Sequence, residues 1–297
     1  MMLVLKFSRF DTFSKKCITH FCRGLVTQAQ IDEYQENGVV CLRGVFEKRW
    51  LQLASGGVKK NIASPSVNHE KNLDEGRKMY FNDFYNYERF KEFSDIVRYS
   101  PSAEIAGRLM QSSLSVFIQD EAISQDEGWA GFSQWHQDQP YHHADGNQVC
   151  SLWMPCTPTY RCVQFIRGSH KLPMLDPTTY KGKQENIKPN ESNALLSLVR
   201  DTPKEDILSY DVMPGDCLVF HMRTVHNVDI SVLRNERVVL VSRWAGNDAK
   251  IAKRQWETFP PWNSAQVSRL TDVAVGDLWV ESKHAVIPWR QKRTKTP

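Results

Sequence analysis

Trp135-His136-Gln137-Asp138-Gln139-Pro140-Tyr141 sets an imidazole and a carboxylate two residues apart. On an extended chain, positions i and i+2 project from one face, so both groups can reach a single metal ion. On a helix the same spacing points them about 200° apart. Pro140 disfavours the helix, and the segment reads as a strand or the end of one. Taken alone, His-x-Asp is a weak signal, because a lone histidine more often sits on the surface or is satisfied within a core.

The motif gains meaning from Pro214 to His226, where a Pro-Gly turn, the β-type run Cys217 to His221 and a further histidine follow in order. His226 can complete a two-histidine, one-carboxylate set with His136 and Asp138, although His221 and His226 each also read as core histidines. Such a set covers one triangular face of an octahedral ion and leaves three positions open, as in non-heme Fe(II) oxygenases and unlike a closed structural zinc site. A chelating keto acid would fill two of these positions and dioxygen the third. The far carboxylate of the keto acid would then need an anchor, and Arg237, heading Val238 to Trp244, can offer a bidentate guanidinium. Its plainer reading is a surface charge at a strand end.

Around these motifs, Leu114 to Ile118, Val149 to Trp153, Cys162 to Ile166, Cys217 to His221 and Val238 to Trp244 are short β-type runs without long helices between them. They predict an antiparallel sandwich or barrel. Upstream, Thr27-x-x-Gln30 reads as a capping box for a helix over Ile31 to Glu36 that ends at Asn37-Gly38. A strand over Val39 to Arg43, a helix near Lys48 to Lys60, a polar loop at Pro65 and an aromatic patch from Tyr80 to Phe93 follow as packing elements. Residues 171–212 read as a long polar loop over one end of the barrel, shaping a substrate entrance.

With 297 residues, 41% hydrophobic and 24% charged, the chain has an ordinary globular balance, which excludes disorder and repeat architectures. A net charge of +4 is too small to indicate nucleic acid, and no apolar stretch is long enough to span a membrane. Seven dispersed cysteines without a CxxC pair argue against a disulfide framework or a zinc ribbon, and for a reducing, intracellular setting. Residues 1–24 carry five basic side chains against one acid, which fits a mitochondrial presequence and equally an unremarkable basic extension of a cytoplasmic protein. The expected division is this extension, one domain over 25–280 and a basic tail over 281–297.

These stretches resemble the phytanoyl-CoA dioxygenase family of Fe(II)/2-oxoglutarate oxygenases. The resemblance runs from Leu25 to Phe46 through Trp135 to Tyr141, Ser151-Leu152-Trp153, Gln164 to Lys171 and Pro214 to His226. It implies a mainly β, α+β fold with flanking helices, built on a double-stranded β-helix (jelly roll, cupin-like). It further implies iron at His136, Asp138 and His226, 2-oxoglutarate at Arg237 with Trp153 at the co-substrate wall, and ascorbate as an accessory reductant. The implied partners are dioxygen and a small-molecule or acyl-type substrate, which would be hydroxylated with release of succinate and CO2. Asp138 favours hydroxylation, since halogenating relatives lack this carboxylate and bind chloride in its place.

Two departures stand out. Where many members carry a lysine that helps hold 2-oxoglutarate, this chain has Gln125 beside Asp126 and Glu127, and the link from Met154 to Arg161 is short, which predicts a shifted register or a distorted barrel mouth. These departures motivate a competing expectation, a jelly-roll binding or scaffold protein that keeps the metal ligands but has impaired turnover. A metal-dependent hydrolase or isomerase would leave Arg237 without a use. His142-His143 read as a solvated pair, and His170 as a turn-stabilising residue.

Overall fold

Both ends of the first helix form as their residues dictate. In α1 (Gln28–Asn37) the Thr27 hydroxyl accepts the Gln30 N–H at 3.3 Å and the Gln30 side chain accepts the Thr27 N–H at 2.9 Å, a reciprocal cap worth about 1 kcal/mol. Gly38 closes the helix at φ 78°, where a Cβ would lie 2.4 Å from His170 Nδ1 and 2.6 Å from Thr224 Oγ1. Only glycine meets both the left-handed conformation and the close approach. The Gly38 carbonyl accepts the His221 N–H and the Thr224 hydroxyl, which docks the segment leading to His226.

The computed structural model describes residues 25–129, 134–175, 194–229, 235–256, 258–259, 261–262 and 272–291; the basic extension over 1–24 lies outside them. After α1 come β1 (Val39–Leu42), α2 (Lys48–Ala63), β2 (Glu70–Leu73), β3 (Met79–Phe84), α3 (Lys91–Tyr99), α4 (Ser102–Leu109) and β4 (Leu114–Gln125). Then follow β5 (Ala144–Asp145), β6 (Val149–Pro155), β7 (Thr159–Ile166), α5 (Ala194–Asp201) and β8 (Ile207–Val212). The remaining strands are β9 (Cys217–His221), β10 (His226–Val228), β11 (Arg237–Ala245), β12 (Lys250–Ile251) and β13 (Val286–Arg290).

A main antiparallel sheet runs β1-β9-β6-β11-β4-β3-β2, with β13 also on β4, and faces a smaller sheet β10-β7-β8; β5 and β12 pair separately. This is a jelly roll with flanking helices. Strand alternation assigns the layers. On β11, Val238, Leu240 and Trp244 join the core under the helices, whereas Val239 and Val241 pack between the sheets with Trp153, Leu218, Phe220 and Phe165. Because β11 is buried on both faces, its stretch Val238 to Val241 is apolar without alternation.

Three expectations change. Strand β4 continues past Ile118 to Gln125, with Gln119, Asp120, Glu121 and Gln125 all buried. Residues 171–212 are not all loop: α5 and β8 form within them, and Leu195 packs on Ile166 and Val225; residues 176–193 lie outside the described set. The tail expected over 281–297 contains β13, because Val286 pairs with Phe117, and Trp289 pairs with Ser115 and lies against Gly107, where a Cβ would be 2.2 Å from the indole. The short link is not a hairpin turn: residues 156–158 carry the chain from the main sheet to the smaller one. A register shift does follow it, between Tyr160 and Gln164, with Arg161 at φ 46°. No helix among the described residues is long and apolar enough to cross a membrane.

Candidate metal centre

His226 opens β10, and His136 pairs with it in an isolated antiparallel bridge, the two residues exchanging N–H···O bonds of 2.9 Å each. Two segments far apart in sequence are thereby joined backbone to backbone, with their imidazole centroids 4.3 Å apart. Asp138 does not continue an extended run. At φ −71° and ψ −41° it leads a 3-10 turn over Gln139–Tyr141, where Pro140 fits, and the Gln139 N–H bonds the Met222 carbonyl at 2.8 Å. The turn still delivers the carboxylate. The ligating atoms of His136, Asp138 and His226 all lie within 4.8 Å of one another, with Asp138 Oδ1 3.7 Å from His136 Nε2 and 3.8 Å from His226 Nε2.

Carbonyl contacts orient both imidazoles. His136 Nδ1 bonds Gln134 O and His226 Nδ1 bonds Thr224 O, each at 2.8 Å, which directs both Nε2 atoms toward the carboxylate. Burial, reinforced by His136, lowers the His226 pKa to about 4 against the pull of Asp138. Burial works to raise the Asp138 pKa, but Arg243, then His226, hold it well below the usual carboxylate range. At neutral pH His226 is therefore neutral and Asp138 ionised, the forms a metal ion needs.

The other Asp138 oxygen is occupied. Oδ2 accepts from Ser151 Oγ–H at 2.6 Å and from Arg243 Nε–H at 3.2 Å, while Arg243 Nη2–H donates to Glu121 Oε2 at 2.9 Å. Sequence reasoning missed Ser151, Arg243 and Glu121. The available signal was Arg243 itself, a charge on the same face as Arg237 within an otherwise apolar strand, which burial obliges to find a carboxylate. His221 takes the core role, its Nε2 on Asn147 O at 2.9 Å and its Nδ1 accepting the Arg223 N–H. His142 and His143 are not solvated but each 3% exposed, with His142 Nδ1 on Phe259 O at 3.1 Å and His143 Nε2 3.2 Å from Thr258 Oγ1. His170 Nε2 lies 3.1 Å from Gln35 O, which links the turn over Ser169–Lys171 to the end of α1.

Arg237 starts β11 on the face that carries Val239 and Val241, opposite Gln125 of β4. It is 4% exposed, yet its Nε and Nη1 have no hydrogen-bond partner among the described residues. Gln125 is fully buried, with both amide atoms likewise unpartnered. Native interiors rarely leave such groups unsatisfied, so this end of the barrel has the chemistry of an anion site.

The sequence profile of the phytanoyl-CoA dioxygenase (PhyH) family matches residues 34–227. The chain belongs to this family. Its members are non-heme iron and 2-oxoglutarate-dependent enzymes. No curated protein matches the chain. Among solved structures, the non-heme α-ketoglutarate-dependent carbocyclase SnoK of nogalamycin biosynthesis superimposes with a TM-score of 0.66 at 16% identity, over 85% of this chain and 93% of that one. The epimerase SnoN, in complex with Fe3+, α-ketoglutarate and nogalamycin RO, gives 0.64 at 15%, over 88% and 98%. EctD from S. alaskensis, with 2-oxoglutarate and 5-hydroxyectoine, gives 0.60 at 14%, over 81% and 84%. At these identities the likeness is one of fold.

Family membership sharpens the meaning of Gln125. A neutral amide stands directly across the ladder from Arg237, so Arg237 is the one cation of that cross-strand pair. Trp153 faces the same interior, 5% exposed and packed with Val239 and Val241.

Proposed function

We propose that this chain is an Fe(II)- and 2-oxoglutarate-dependent dioxygenase that hydroxylates a small-molecule substrate and releases succinate and CO2. The observation that carries this reading is the pairing of a converged His136, Asp138 and His226 set with the unpartnered, buried Arg237 on the strand that also supplies Arg243. Two imidazole nitrogens and one carboxylate oxygen suit Fe(II), and the guanidinium suits a carboxylate. Iron and the keto acid, when bound, supply the redox chemistry: dioxygen gives one atom to succinate as CO2 leaves and the other to a substrate C–H bond as hydroxyl.

The protein's own residues bind and orient. His136, Asp138 and His226 would hold one face of the ion, Arg237 the far carboxylate, and Trp153 a wall beside it. Val239, Val241, Leu218 and Phe220 keep the interior dry, which strengthens each polar contact within it. Asp138 supports hydroxylation over halogenation, and ascorbate would serve only to keep iron reduced.

Gln125 favours a second reading, a scaffold that retains the ligands without turnover. The two are separated by adding 2-oxoglutarate to anaerobic, iron-loaded protein and then admitting oxygen. The oxygenase binds the keto acid and forms succinate only when iron is present. A folded, iron-loaded protein that binds no 2-oxoglutarate is the scaffold.

A further inference from the structure

Asp138 uses its two oxygens differently. Oδ1 faces both Nε2 atoms, while Oδ2 is held by two donors on neighbouring main-sheet strands, Ser151 of β6 and Arg243 of β11, which pair in register. Arg243 is itself fixed, because a second arm of its guanidinium bonds Glu121 on β4, across the other edge of β11. All four side chains are buried: Asp138 is 4% exposed, Ser151 0%, Arg243 5% and Glu121 8%. A buried charge network of this kind adds little net stability compared with apolar residues of the same size, so its value lies in the geometry it imposes.

We propose that Ser151 and Arg243, braced by Glu121, are positioning residues that reserve Asp138 Oδ2 so that a metal ion receives Oδ1 alone. A carboxylate with both oxygens free can chelate a metal through the pair. Chelation here would fill a fourth position on the ion and leave two, where the proposed co-substrate and dioxygen together need three. The lock therefore keeps the third position open. This inference rests on the proposed metal site but assigns a role to residues outside it.

The test uses the full chain and reads metal and keto-acid binding separately, without turnover. Mn(II) affinity is measured by calorimetry, and 2-oxoglutarate affinity by anaerobic titration of the Fe(II)-loaded protein, following its visible charge-transfer absorption. Ser151→Ala is expected to leave Mn(II) affinity equal or severalfold higher and to weaken 2-oxoglutarate about tenfold, with Ser151→Thr restoring it. Arg243→Gln is expected to act in the same direction and more strongly. Since it also strips a cation from two buried carboxylates, Ser151→Ala remains decisive should that variant fail to fold.

Unchanged 2-oxoglutarate affinity in Ser151→Ala would overturn the lock. So would a loss of Mn(II) binding equal to the loss of 2-oxoglutarate, which would mean that Ser151 merely supports the ligand set. Wild-type protein that binds no metal would instead sink the proposed function.

Discussion

The two polar ends of β11 are built in opposite ways. At Arg243 the guanidinium, Asp138, Ser151 and Glu121 share hydrogen bonds, and the two imidazoles are oriented by carbonyls. At Arg237, two residues before Val239 in the same strand, Nε and Nη1 of the guanidinium and both amide atoms of Gln125 meet no partner among the described residues, whereas at Arg243 only Nη1 is left so. At one end the side chains are tied to one another; at the other, buried donors are left without partners. Preorganisation at the first lowers the cost of binding a cation, and the unsatisfied donors at the second make affinity for a carboxylate the way that end gains stability.

Arg237→Leu tests this contrast with the largest effect. In the metal-loaded protein it is expected to weaken 2-oxoglutarate by about 3 kcal/mol, roughly 100-fold, with metal content unchanged. In the ligand-free protein it is expected to leave thermal stability equal or higher, because it removes a buried charge without a partner. Calorimetric titration and melting curves check both. A variant that melts as early as an Arg243 substitution would show that the two ends are built alike.

The sequence disclosed the elements whose local chemistry is complete within a few residues. Thr27 with Gln30, Gly38, and the apolar runs of β9 and β11 need no distant partner to be recognised. The candidate metal cluster was legible because His136, Asp138 and His226 have few reasons to occur in that order on a β-rich chain. What escaped depends on distant partners. Gln119-Asp120-Glu121 interrupts the apolar pattern of β4, and its burial goes with distant partners: the Asn86 N–H donates to Asp120 Oδ1 and Arg243 to Glu121. Likewise α5 owes its place to Ile166 and Val225, and β13 to the close fit of Trp289 on Gly107. Asp138 reached the site by a turn instead of a strand, since i and i+2 spacing constrains a face and not a backbone path.

Acid should act on the preorganised end. Burial lowers His226 to about 4 and His221 to about 3, and burial with Arg243 lowers His142 well below the usual imidazole value. Each therefore binds its proton more readily when unfolded, so folding stability falls as pH drops below the unfolded value of about 6.5. Asp120, pushed up to about 7 by burial, has the opposite sign: its protonation on acidification relieves strain in the folded state. Asp138, held low, stays ionised throughout and contributes no slope until pH falls below its unfolded value of about 3.9. His170 is lowered by burial as well, so the lowered histidines outweigh Asp120 and the metal-free protein is expected to lose stability as pH falls from about 6.5 to about 5.5. Melting curves across that range check it, and a flat profile would mean that the histidines are not held neutral.

The smallest effect sharpens the contrast from the other side. Gln125→Lys places a second cation directly across the ladder from Arg237. Without a ligand the like charges repel within the sheet, and melting should occur a few degrees earlier, corresponding to about 1 kcal/mol. With 2-oxoglutarate present both cations gain a carboxylate, so affinity should rise about fivefold, again close to 1 kcal/mol. Opposite signs in the two states are the signature of an end arranged for an anion. Should the lysine weaken 2-oxoglutarate instead, the Gln125 amide is itself the second holder of the keto acid, and the anion end is tuned by hydrogen bonding and not by charge.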